Sequence, residues 1–247
     1  MLTEEEKQRY DRQIMIPGIG EAGQEKLKKA RVVITGAGGL GSPIALYLTA
    51  AGVGLLRVID NDKVELSNLN RQILHGDKDV GKSKTASAYD KLTKLNKNVT
   101  IETVHITIDE SNAAQLTEGF DVIVDAMDNL STRFLLNKAA VKHKIPFIHG
   151  AVSGLEGRAM TVIPGKSACI KCLYHAAPPK MKFPVLGTTP AVIGSIEATE
   201  VIKYITGIGT LLTDRLLIYD GLNMTFTELK VIRNINCEHC GDAVISK

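Results

Sequence analysis

Apolar and polar positions change their period several times between Arg31 and His149. Short apolar runs at Arg31 to Thr35, Leu55 to Asp60, Phe120 to Asp125 and Ile145 to His149 predict buried strands, and Thr100 to Ile108 alternates like a fifth. Helical spacing between them predicts helices from about Leu40 to Ala51, Ser83 to Leu95 and Thr132 to His143. Gly52-Val53-Gly54 closes the first of these, and Ser131 is the expected cap of the third. Ahead of them, residues 4 to 29 read as a mostly polar helical arm broken at Pro17-Gly18. Strands alternating with helices over short loops predict an α/β fold, a doubly wound, mostly parallel Rossmann-like sheet. Such a sheet takes its ligand at the carboxyl ends of its strands.

The later pattern differs. Arg158 to Ile163, Arg215 to Asp220 and Thr225 to Val231 alternate, with turn signals at Pro164-Gly165 and Asp220-Gly221. They predict antiparallel strands extending the same sheet, with one helix, Ala191 to Tyr204, between them. No repeat, low-complexity tract or linker interrupts the 247 residues, so a single domain over 1–247 is expected, with 1–29 as its arm.

Composition narrows the class only a little. No run of eighteen apolar residues exists to span a membrane, and the charged N-terminal stretch has no apolar signal core, so a cytoplasmic protein is expected. With 30 Lys+Arg against 27 Asp+Glu, the net charge of +3 argues against a nucleic-acid surface.

The four cysteines say more. They fall as Cys169-x-x-Cys172 and Cys237-x-x-Cys240. Two such knuckles suit one tetrahedral zinc, closed and structural, and make 169–240 the zinc-bearing part of the chain. A redox dithiol and four unrelated buried thiols are the alternatives, but neither pair sits at a helix start after an early strand, as a thioredoxin-like motif would. His175 and His239 lie close by as spectators.

After the first strand, Gly36, Gly38 and Gly41 give G-x-G-x-x-G: a tight turn, a close approach to phosphate and a close helix packing. The helix that follows offers unpaired N–H groups to an anion. Asp60 ends the second strand, where a carboxylate can hold ribose hydroxyls, and to this point NAD fits. The loop Asp60 to Lys84 shifts the reading. It adds Arg71, Lys82 and Lys84 to the same rim, with Asn68 and Asn70 beside Arg71, and this much cation suits a triphosphate. Asp128-Asn129 follows another strand end. A carboxylate facing phosphates needs a cation between them, so Asp128 reads as a Mg²⁺ ligand.

These residues together resemble the MoeB/ThiF/HesA family, relatives of the ubiquitin-activating enzyme. The resemblance runs from RYDRQI (Arg9 to Ile14) through GAGGLGS, DNDKVELSNLNRQ, GKSK, DAMDN and AVIGS to the last Cys-x-x-Cys-Gly. It implies an ATP- and Mg²⁺-dependent adenylyltransferase, usually a homodimer. Its usual substrate is the C-terminal Gly-Gly of a small ubiquitin-like sulfur carrier of the MoaD/ThiS type, which serves molybdopterin or thiamine chemistry with a downstream sulfur donor or acceptor enzyme. It also implies Gly39 in the phosphate turn, Asp60 on the ribose, Asn68, Arg71 and Lys84 on the triphosphate, and Asp128 on Mg²⁺. Arg12 then reaches the γ-phosphate in the partner protomer.

One departure matters. Many members carry a further cysteine in the stretch after the first zinc pair, but Leu173 to Pro190 has none. All four cysteines are assigned to zinc, so the reaction is expected to stop at the acyl-adenylate. Thr188 or Thr189 is a far weaker nucleophile than a thiol and reads as a positioning or loop residue. The same loop is expected to cover the substrate, with Lys180 and Lys182 available to an acidic partner. A small-molecule carboxylate is the alternative acceptor. A non-catalytic scaffold and an NAD-dependent oxidoreductase stand as the readings from other classes.

Overall fold

The computed structural model describes residues 1–174 and 183–241. His175, Lys180 and Lys182, and with them the middle of the loop expected to cover the substrate, therefore lie outside the described residues. The arm is three helices, α1 (Glu4–Arg9), α2 (Asp11–Ile14) and α3 (Gly20–Lys29). Then follow β1 (Arg31–Thr35), α4 (Gly41–Ala50), β2 (Leu55–Ile59), α5 (Lys84–Leu95), β3 (Thr100–Val104), α6 (Ala113–Thr117) and β4 (Val122–Asp125). The chain continues as α7 (Leu130–His143), β5 (Phe147–Ser153), β6 (Glu156–Val162), α8 (Ile170–Leu173), α9 (Thr188–Thr206), β7 (Arg215–Asp220) and β8 (Thr225–Lys230).

One eight-stranded sheet runs in the order β3-β2-β1-β4-β5-β6-β7-β8. Its first five strands are parallel and the remaining pairings are antiparallel. The expected Rossmann-like sheet with an antiparallel extension is what the chain forms. Strand alternation feeds two cores. On β1, Val32 and Ile34 enter the core beneath α4, α5 and α9, while Val33 enters the one on the opposite face with α7. A strand buried on both faces has no polar alternation, which is why β1 and β4 read as continuous apolar runs.

The departures have local causes. β3 stops at Val104, because its partner β2 ends at Ile59 and the ladder runs out there. β5 extends to Ser153, because the antiparallel return of β6 pairs with it as far as Ser153 opposite Glu156. α6 carries no strong sequence signal. α7 starts at Leu130, and its cap is Asn129, whose Oδ1 accepts from Thr132 N at 2.9 Å; Ser131 lies in the first turn, exposed. Thr188 and Thr189 open α9, so neither is a loop residue.

Two glycines set the strand-to-helix turn. Gly36 sits at φ +109°, and a Cβ there would lie 2.5 Å from the Ala126 carbonyl oxygen. A Cβ on Gly41 would collide with the Gly36 carbonyl. Gly41→Ala is expected to cost about 1–3 kcal/mol of stability through this overpacking, read as a lowered urea midpoint at unchanged slope.

Candidate functional site

The sheet's order reverses between β1 and β4: β2 and β3 lie to one side, and β5 onward to the other. Loops leaving the strand ends diverge there, and a cavity of about 880 Å³ opens beyond them. Gly36, Gly38 and Gly39 line it after β1, Asp60 after β2, and Asp128 with Asn129 after β4. Arg71 and Lys84 line it from the long loop and the start of α5.

The turn is held by its neighbours. Asp60 Oδ2 accepts from Ala37 N at 2.8 Å, and Oδ1 accepts from Asp62 N at 2.7 Å, which stands the carboxylate across the mouth of the turn. Gly38 O accepts from both the backbone and the hydroxyl of Ser42, tying the turn into α4. Lys84 is 5% exposed and donates to Asp62 Oδ2 at 2.8 Å. Arg71 donates through Nη1 to Ser67 O and to Asn70 Oδ1, both at 2.9 Å. Asp128 is exposed, and its Oδ1 accepts from the Asn129 amide at 3.3 Å.

Not every expected residue reaches the cavity. Asn68 is buried, and its Oδ1 accepts from Glu65 N, so it shapes the loop that presents Arg71. Asn70 meets Arg71 but does not line the cavity. Lys82 is exposed, pairs with Asp79 at 3.4 Å and also stands off the cavity. Arg12 is exposed on α2 and lies outside the cavity of its own chain. Phe183, Pro184 and Val185 line the cavity from the segment before α9, and Pro190 lines it from the first turn of that helix. The Thr189 hydroxyl is committed to Gly154 O at 3.1 Å, and the residue is buried.

Beneath the rim lies a buried polar group that the sequence reading missed. Asp125 Oδ2 accepts from His149 Nδ1 at 2.7 Å, with both side chains fully buried. Arg133, in the first turn of α7, places Nε 3.1 Å from the same oxygen, without hydrogen-bond alignment. Its Nη2 donates to Met127 O and, at 2.9 Å, to Gly150 O, so it ties the loop bearing Asp128 to β5. A cation in a helix's first turn opposes the helix dipole, and that was the one available signal of an anion nearby. Burial holds His149 below its ordinary pKa, against the pull of Asp125, so the imidazole is neutral. Glu197 of α9 sits against Gly150 with neither carboxyl oxygen bonded among the described residues. Burial first, and the charge of Asp125 second, push its pKa well above the ordinary value, so it is a neutral acid.

The four cysteines meet on the opposite face of the sheet, packed beside α7. Their sulfurs lie within 4.8 Å of one another, with Cys169–Cys237 at 3.8 Å and Cys172–Cys240 at 3.5 Å. A tetrahedral ion with bonds of about 2.3 Å needs sulfurs about 3.8 Å apart, so the cluster can hold zinc. His239 turns its Nδ1 to the Asn137 amide at 2.8 Å and stays outside the thiol cluster, as expected of a spectator.

This arrangement of turn, carboxylate and cations at a switch point defines a nucleotide-binding α/β enzyme. Residues 10–240 match the ThiF family, and the chain belongs to that family. It is 42% identical over 251 residues to the sulfur carrier protein adenylyltransferase of Thermus thermophilus, covering 97% of this chain and 93% of that protein. It is 43% identical over 240 residues to the SAMP-activating enzyme E1 of Haloferax volcanii, covering 95% and 88%. Among solved structures, E. coli MccB with ATP superposes at a TM-score of 0.86 and 26% identity, over 94% of this chain and 74% of that one. The chain is accordingly an adenylyltransferase. No helix among the described residues is long and apolar enough to cross a membrane.

Glu197 makes a stability prediction. Its folded pKa is raised, so the folded state keeps a proton that the unfolded chain releases above pH 4.5, and stability falls as pH rises from there towards the raised value. Glu197→Gln removes that slope. Chemical denaturation is expected to show the variant gaining on the wild type by up to about 1.4 kcal/mol per pH unit across this window.

Proposed function

We propose that the chain activates the C-terminal carboxylate of a small ubiquitin-like sulfur carrier as an acyl-adenylate, releasing pyrophosphate and using no thioester step. The observation that carries this reading is the convergence of the glycine turn, Asp60, Arg71, Lys84 and Asp128 on one cavity at the switch point. The two curated relatives, named for a sulfur carrier and for SAMP, support the choice of substrate.

The carboxylate is ionised near neutral pH and is its own nucleophile, so the reaction needs no protein base. The chain's work is alignment and charge. Asp60 fixes the ribose, and the turn's N–H groups hold the phosphates. Arg71 and Lys84 receive the charge that builds on the departing pyrophosphate. Mg²⁺ would be held at Asp128, whose exposed carboxylate lines the cavity, and would neutralise the same charge. Arg12 stands exposed outside its own cavity, which suits action across a two-fold dimer at the partner's γ-phosphate. Zinc in the cysteine cluster is structural and closed, leaving no thiol free for acyl transfer.

Four experiments test this reading. ATP–pyrophosphate exchange is expected to depend on Mg²⁺ and on added carrier with an intact C-terminus; stimulation by a low-mass carboxylate alone would replace the carrier with the alternative substrate. Arg71→Ala should lower exchange about 100-fold or more, the loss typical of a transition-state charge contact. Arg12→Ala should be inactive alone, while mixing it with Arg71→Ala restores roughly a quarter of wild-type activity by statistical pairing in a two-fold dimer; no recovery would remove Arg12 from the partner's site. Metal analysis should find about one zinc per chain, the number a four-thiolate site takes, and Cys237→Ser should lose it.

A further inference from the structure

His75 follows Arg71 by one turn of the same loop but points the other way, into the protein. Its Nε2 lies 2.9 Å from Ala37 O, and its Nδ1 lies 2.9 Å from Ser87 Oγ. A carbonyl oxygen can only accept, so Nε2 carries the proton and donates. Nδ1 of the neutral ring then accepts from the Ser87 hydroxyl, which in turn accepts from Lys91 Nζ at 3.0 Å. Lys91 is itself paired with buried Asp79. The row Asp79, Lys91, Ser87 and His75 thus ends on the middle residue of the glycine turn.

The contact fixes more than one carbonyl. In a planar trans peptide the C=O and the following N–H point in opposite directions. With Ala37 O drawn inward to His75, the Gly38 N–H faces outward to the cavity that Gly38 lines. Gly38 O is drawn to Ser42, and this turns the Gly39 N–H away from α4 in the same manner. Neither N–H has a protein acceptor among the described residues. Asp60 holds the N–H of Ala37 while His75 holds its C=O, so the residue is clamped from both sides.

We infer that His75 is a positioning residue for the adenylation: by holding the Ala37 carbonyl, it aims the Gly38 N–H at the phosphates of bound ATP. The inference rests on the nucleotide reading of the cavity, but not on the identity of the carboxylate. Burial first, then the charges of Lys91 and Lys84, hold the His75 pKa below its ordinary value against the opposing effects of the Ala37 carbonyl and Asp79, so a neutral ring with one donor nitrogen fits this arrangement.

The test uses the full chain with two conservative variants. The Gln amide nitrogen reaches the place of Nε2 and can still donate to Ala37 O. The Asn amide reaches only the place of Nδ1 and cannot. Calorimetric affinities for ATP and for adenosine are measured for the wild type, His75→Gln and His75→Asn, beside thermal unfolding and pyrophosphate exchange. His75→Asn is expected to weaken ATP about tenfold or more while adenosine is unchanged, the loss of one charge-assisted hydrogen bond to phosphate. His75→Gln should stay within about threefold for both, since its donor is retained. Equal losses for ATP and adenosine, or equal behaviour of the two variants, would overturn the inference. A wild type that binds ATP yet exchanges with no carrier would sink the proposed substrate alone, and a wild type that binds no ATP would overturn both.

Discussion

The backbone of Gly41 lies against the carbonyl of Gly36, nearer than any side chain allows. This contact obliges the chain to turn from β1 into α4 within a few residues, and the rest of the site is arranged around it. Because α4 starts so close to β1, its unpaired N–H groups face the carboxyl edge of the sheet. β2 and β4, pairing with β1 on either side, bring Asp60 and the loop after Asp125 to that edge. The cavity is a product of the sheet's order, and the glycines determine what its floor presents.

The parts legible in the sequence were those fixed by short-range patterns. The glycine turn and Asp60 could be read because a tight turn admits few residue types and strand length sets the spacing. The apolar runs of β1 and β4 gave their strands away because both faces are covered. The paired cysteines likewise carry their meaning in their spacing. Where partners from far along the chain decide, the pattern was silent. β3 ends when β2 does, and β5 lengthens because β6 returns beside it, which no window around Ile108 or His149 contains. Asn129 takes the cap in place of Ser131 because α7 begins two residues early, directly above the end of β4.

The buried group of Asp125, His149, Arg133 and Glu197 was illegible for the same reason. Apart from the cation in the first turn of α7, each residue is unremarkable in its own segment, and only the sheet and α9 assemble them. Their joint effect is on the loop from Ala126 to Asn129, which Arg133 pins to Gly150. A loop that carries an exposed carboxylate into a cavity is thereby held by a guanidinium below it.

The pairing of Lys84 with Asp62 bears on how an anion is received. A lysine already matched to a carboxylate does not meet a phosphate as a bare charge; it exchanges one anionic partner for another. Such a swap conserves the number of ion pairs, so its free energy depends on geometry and hydration more than on raw Coulomb attraction. A lone inorganic anion gains little from displacing Asp62. On the proposed reading, a polyphosphate would gain because it would already be held at the glycine turn when it competes for the ammonium group. The ion pair would then act as a filter on connectivity, favouring anions linked to something the rest of the cavity recognises.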